Sequence, residues 1–131
     1  MKTSTLLFYW AVRILAALIM LQTLYFKFTG AEESVYIFST AGMEPWGRIG
    51  VGILELIAAV LILITSTVWL GAALAAGLMT GALGMHLTIL GIAVKGDGGY
   101  LFFLALLVFV CSLIMLWFNK TKIETVIRAF K

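Results

Sequence analysis

WGRIGVGILELIAAVLILI, residues 46–64, decides the fold. At a helical rise of about 1.5 Å per residue this run spans about 28 Å, close to the roughly 30 Å of hydrocarbon in a bilayer. Glu55 sits near its middle. A carboxylate at that depth costs about 2.5–3.5 kcal/mol on insertion scales unless a partner or a proton offsets it. The stretch therefore reads as a membrane-crossing helix carrying an intramembrane acid, and the first question is what faces that acid.

The rest of the chain agrees with this medium. Of 131 residues, 63% are hydrophobic and 11% charged, against roughly 25% charged in a soluble domain. A soluble globule this small has too high a surface-to-volume ratio to hide so much apolar side chain. Three more segments meet the spanning length: about 5–26, 68–90 and 100–118. No ten-residue alternating pattern repeats, which excludes a β-barrel, and irregular backbone cannot face lipid. The expected fold is all-α, a four-helix integral membrane bundle forming a single domain over 1–131. Lys2 ahead of Leu6–Phe26 raises the question of a signal peptide. The apolar run is too long for one, contains Arg13 and is followed by no A-x-A site, so it reads as a retained helix.

The connections differ. Residues 27–45 form the longest and contain the sole proline, Pro45, which suits the start of a helix. Thr65-Ser66-Thr67 is a tight helical hairpin. Gly96-Asp97-Gly98-Gly99 lacks the Lys-Ser/Thr and spacing of a phosphate loop and reads as a turn. The basic residues collect at the ends: Lys2, Lys120, Lys122, Arg128 and Lys131. The positive-inside rule then places both termini in the cytoplasm. Trp46, Trp69, Tyr100 and Trp117 lie near predicted helix ends, as interfacial aromatics do. In the tail 119–131, Ile123, Val126, Ile127 and Phe130 recur at helical spacing among basic residues. The tail reads either as an amphipathic helix on the inner membrane surface or as an extension of the fourth span.

Placing ionisable groups by depth, Arg13 lies roughly 12 Å in from one face and Glu55 about 14 Å in from the other, so an Arg13–Glu55 pair is geometrically available. Arg48 and Glu55, seven residues apart, share a helix face with Gly52 and Ala59. Arg13, Met20 and Lys27 form a similar stripe on the first span. His86 falls near the outer end of the third span. Lys27, Arg48, Glu55 and His86, with Glu44 and Gln22 nearby, converge on the outer half of the bundle, and Arg13 reaches toward them from below. These five, Arg13, Lys27, Arg48, Glu55 and His86, are the candidates for ligand binding or proton relay. Gly77, Gly81, Gly84 and Thr88 give the third span a small-residue face, read as close packing inside the bundle.

Cys111 is the sole cysteine, so no intrachain disulfide forms, and in an apolar run it reads as a small core or lipid-facing residue. One histidine and no thiolate cluster cannot build a zinc or haem site, so no metal is expected. No Ser or Thr has a recognisable His–Asp partner set, and no catalytic residue is assigned. No basic stripe on a soluble element suggests nucleic acid.

RILAALIMLQTLYFKFTG (13–30), EPWGRIGVGILELIAAVLILI (44–64), HLTILGI (86–92) and GDGGYLFFLALLV (96–108) together resemble the DoxX family, in order and over nearly the whole chain. The resemblance implies a four-helix bundle in the bacterial inner membrane, with Arg13, Lys27, Glu55 and His86 as family-type polar positions. Some relatives are quinone-linked subunits in thiosulfate oxidation, others are linked to redox stress, and distant animal relatives resemble assembly chaperones or cargo receptors. With no redox-active cysteine pair and no cofactor motif, this chain is at most a subunit of an oxidoreductase. The leading expectation is a redox-associated membrane subunit whose outer polar pocket takes a quinone-like or lipid-like amphiphile. The alternatives are a non-enzymatic scaffold or assembly partner held by a structural Arg–Glu pair, and a small transporter made by oligomerising. A protein partner or homo-oligomer fits each of these.

Overall fold

The computed structural model describes residues 2–130; Lys131, counted above among the terminal basic residues, lies outside them. Among the described residues there are no strands and six α-helices: α1 (Thr3–Thr29), α2 (Glu32–Thr40), α3 (Trp46–Leu63), α4 (Val68–Met85), α5 (Tyr100–Phe118) and α6 (Lys120–Ala129). A 3-10 turn, Thr65–Thr67, joins α3 to α4, and a π-helical turn, His86–Leu90, extends α4. Four segments are long and apolar enough to cross a membrane: Thr3–Thr29, Trp46–Leu63, Thr65–Leu90 and Tyr100–Phe118. The chain is a multi-pass membrane protein.

The spans form a closed ring in which α1 packs on α3 and α5, and α4 packs on α3 and α5. With little hydrophobic drive between helices in lipid, close approach depends on small side chains. The core accordingly contains fully buried Ala16, Ala58, Ala59, Ala72 and Ala75, filled in by Met20, Ile62, Val68, Val108 and Met115. The tightest crossings are at two glycines. A Cβ on Gly71 would lie 2.8 Å from Ile62 N and 2.9 Å from Ala58 O, and one on Gly52 would lie 2.7 Å from the Phe28 ring. Large apolar side chains such as Leu7, Leu18, Leu87 and Phe103 point outward and stay exposed, as a lipid-facing surface requires.

Hydrogen bonds fix which ends lie together. Asn119 Nδ2 donates to Tyr9 Oη (2.8 Å) and Lys122 Nζ donates to Ser66 O. The start of α1, the α3–α4 hairpin, the end of α5 and α6 therefore share one end of the bundle, and both ends of the described chain lie there. Trp117, at 62% exposure, marks that end, and Trp46, at 66%, marks the other.

Two expectations need correction, and one of the two readings of the tail is excluded. The connection 27–45 is not simply a loop: α1 runs on to Thr29, and α2 follows after the left-handed Gly30 (φ 70°). The helix α2 is too short to span and buries only Ser34 and Phe38, one turn apart, so no apolar run advertises it. The tail is a separate helix rather than a continuation, because the chain breaks at Asn119 (φ −105°, ψ 14°), whose side chain turns back to Met115 O at 2.7 Å. The face through Gly77, Gly81 and Gly84 packs against nothing: a Cβ at any of the three meets no atom within 4 Å. The close α3–α4 contact falls at Gly71 instead.

Candidate functional site

In α1, side chains lean toward the helix N-terminus. Arg13 therefore reaches toward the end of the bundle that carries the termini, away from Glu55. The expected Arg13–Glu55 pair does not form. Arg13 is fully buried, donates from Nε to Ile62 O (2.9 Å) and from Nη2 to Leu63 O (3.2 Å) and Thr65 Oγ1 (3.4 Å), and lies over the Trp10 ring with Cζ 3.7 Å from its centroid. The last carbonyls of a helix have no partner within the helix, and in lipid no water replaces it. Thr67 Oγ1 serves Leu61 O at 2.8 Å, Ile64 N serves Val60 O, and Arg13 takes the remaining two. Arg13 is a C-terminal cap for α3, supplied from another helix.

The same lean brings Lys27 to Glu55. Lys27, in the last turn of α1, points back into the bundle, while Glu55 on antiparallel α3 leans the opposite way to meet it. Their charged atoms are 3.2 Å apart, with Glu55 3% exposed. Thr23 Oγ1, one turn before Lys27, lies 3.2 Å from Glu55 Oε2 and 2.9 Å from Met20 O, and its single proton can go to either acceptor. Arg48 stands one layer further out. Its Nε donates to both Glu44 oxygens (2.9 and 3.1 Å) and its Nη1 to Lys27 O, pinning the end of α1 to the start of α3 beneath Gly30.

Inside the ring, on the side away from the termini, lies a mainly apolar cavity of about 550 Å³. Lys27, Glu55 and Thr23 form part of its wall, His86 another part, and Ser34 and Phe38 of α2 border it. Gly77 and Gly81 line it where α4 offers only backbone, and both are exposed. His86 is 5% exposed, and its ring is oriented twice over. Nδ1 lies 3.0 Å from Gly91 O, and Phe102 packs edge-on with ring centroids 5.6 Å apart.

Asp97 closes the same end. Oδ1 accepts from Val94 N (3.0 Å) and Gly99 N (2.8 Å), and Oδ2 from Leu101 N (3.2 Å), which ties the glycine turn to the first turn of α5. Burial pushes its carboxyl up, but the backbone donors from Val94, Gly99, Leu101 and Tyr100 prevail and hold it below the ordinary carboxylate value. Lys95 reaches from this turn to α2, 3.2 Å from Glu32 and over the Tyr36 ring at 5.0 Å.

Of the five candidates, Lys27, Glu55 and His86 come together on the cavity, Arg48 braces it, and Arg13 lies apart. Gln22 is exposed and takes no part. Thr23 and Asp97 were not singled out from the sequence. The four-residue spacing from Thr23 to Lys27 carried the signal for the first, while the second was hidden in a turn read only as a connection. Among the described residues, no three His, Cys, Asp or Glu side chains gather to hold a metal ion. Comparison of the chain with protein-family models, curated proteins and solved structures gives no match.

Proposed function

We propose that this chain is a DoxX-like protein of the bacterial cytoplasmic membrane that holds a quinone-like or lipid-like amphiphile in the cavity beside Lys27 and Glu55, acting as a redox-associated subunit rather than a self-contained enzyme. The observation that carries the reading is an oppositely charged pair, Glu55 buried and Lys27 partly buried, set in the wall of a mainly apolar cavity of about 550 Å³. That volume lies within the roughly 300–1,000 Å³ of small-molecule sites, which combine apolar walls with a few convergent polar groups. An amphiphile supplies the complementary shape, with its tail among Met20, Leu78 and Val108 and its polar end at Lys27 and Glu55. The exposed backbone at Gly77 and Gly81 offers a lateral way in from lipid.

The reading places both termini in the cytoplasm. At the far end every one of Lys27, Arg48 and Lys95 is matched by a carboxylate. The terminal end carries Lys2, Lys120, Lys122 and Arg128 against Glu124. An excess of Lys and Arg marks the cytoplasmic side, and α6, with its basic residues and its exposed Ile127 and Phe130, suits the headgroup layer there.

The test is native mass spectrometry of the full chain purified in mild detergent, with a short-tailed benzoquinone added if no amphiphile copurifies. The wild type should carry an adduct of amphiphile mass, and Glu55→Gln should lose most of it. A bare wild-type protein, before and after addition of the quinone, contradicts the proposal. A second reading, a non-enzymatic scaffold, draws on Arg13: an intramembrane charge spent wholly on capping α3 shows that burial of charge in this bundle also serves architecture.

A further inference from the structure

Resting on the reading of the cavity as an amphiphile site, we infer that His86 selects an amphiphile whose polar end donates a hydrogen bond: a hydroxyl compound, either a quinol or a long-chain alcohol, in preference to a keto compound or an ether.

The inference starts from the tautomer. Nδ1 of His86 lies 3.0 Å from Gly91 O. A carbonyl oxygen can only accept, so Nδ1 carries the hydrogen, and in the neutral imidazole Nε2 is left as a lone-pair acceptor. Among the described residues nothing bonds Nε2, although the residue is 5% exposed and lines the cavity. Among the described residues no buried polar side-chain atom is both sealed off and unpartnered, so Nε2 retains access to open space. The ring cannot turn over to present the other nitrogen without giving up the Gly91 bond and the Phe102 edge contact.

The local backbone holds this arrangement. His86 begins the π-helical turn, and Gly91 follows it at φ 79°, a left-handed value that favours glycine. The carbonyl that fixes the tautomer therefore sits in a turn only one residue type adopts without strain. Of the other polar groups on the cavity wall, Lys27 and Thr23 face Glu55, Asp97 is taken up by backbone donors and Glu33 is exposed. Beside Ser34, whose hydroxyl can donate as well as accept, His86 Nε2 is the buried acceptor-only group on the wall without a partner among the described residues, and a hydroxyl fills it where a carbonyl or an ether oxygen sets lone pair against lone pair.

The experiment measures binding of matched probes to the full chain in detergent. One pair is decylhydroquinone and decylquinone under anaerobic conditions, equal in size and differing in donors. The other is dodecanol and its methyl ether. The account expects the hydroxyl member of at least one pair to bind about tenfold tighter, the scale of one hydrogen bond to a buried acceptor. The preferred pair separates a quinol from an aliphatic alcohol. His86→Phe, which keeps the ring and removes both nitrogens, should bring the two members within about twofold of each other. His86→Gln, which offers an amide donor to Gly91 and an acceptor oxygen, should restore part of the preference. Equal binding within both pairs by the wild type, or a preference that survives His86→Phe, overturns the inference while leaving an amphiphile site standing. No binding of any probe overturns the site and the inference together. Should His86→Phe fail to fold, the wild-type comparison and His86→Gln still decide.

Discussion

Arg13 and Lys27 stand on the same helix, lean the same way and do different jobs. Arg13 meets the end of α3 and closes two carbonyls; Lys27 meets the middle of α3 and a carboxylate. The sequence marked both as intramembrane cations but not their partners, because depth alone ignores the direction in which a helical side chain leans. Arg13→Ala strands the Ile62 and Leu63 carbonyls that it caps, and each charge-assisted hydrogen bond contributes about 1.5–3 kcal/mol. The expected outcome is a marked fall in Tm in detergent, with loss of folded yield, while any Arg13 variant that still folds keeps its amphiphile adduct, because Arg13 does not border the cavity. Asp97 is the other residue with a defined energetic signature. Its carboxyl lies below the ordinary value in the fold, so its stabilisation is fully present above the ordinary carboxylate range and is lost as pH falls through that range toward its own lower value. Asp97→Ala should lower stability by about 0.5–2 kcal/mol at neutral pH, on the scale of a lost helix cap, and should flatten the acid limb of a Tm–pH profile relative to wild type.

The four spans were legible as elements because each is a long apolar run bounded by turn residues, and observed limits fall within a few residues of those expected. The helix α2 was not legible: nine residues with two buried positions, Ser34 and Phe38, carry no spanning signal and a weak helical one. Its existence depends on the rim of the cavity it covers, a tertiary fact. The glycines of α4 show the same limit. From sequence, Gly71, Gly77, Gly81 and Gly84 look alike, yet a Cβ on Gly71 would strike the backbone of α3 and the other three face open space. Gly71→Ala forces α3 and α4 apart and should cost about 1–3 kcal/mol, as overpacking does. Gly84→Ala should leave the unfolding temperature in detergent within experimental error of wild type. Equal loss in both variants contradicts the assigned α3–α4 crossing.

For the whole molecule, polar chemistry divides between the two ends. The end bearing the termini is braced by Arg13, Asn119 and the hairpin threonines. The opposite end holds the cavity, the Lys27–Glu55 pair, His86 and the α2 cover. The central claim is that Lys27–Glu55 recognises a ligand rather than merely tying α1 to α3. Single substitutions cannot separate the two, since removing one partner strands the other charge and costs about 3–5 kcal/mol. Replacing both partners with apolar side chains does separate them, because a buried ion pair exchanged for well-packed hydrophobic residues is often neutral or stabilising. The decisive measurement is therefore made on the double variant Lys27→Met with Glu55→Leu, by thermal unfolding and native mass spectrometry of the same detergent preparation. The account predicts a Tm at or above wild type together with loss of the amphiphile adduct. A stable double variant that keeps the adduct contradicts it.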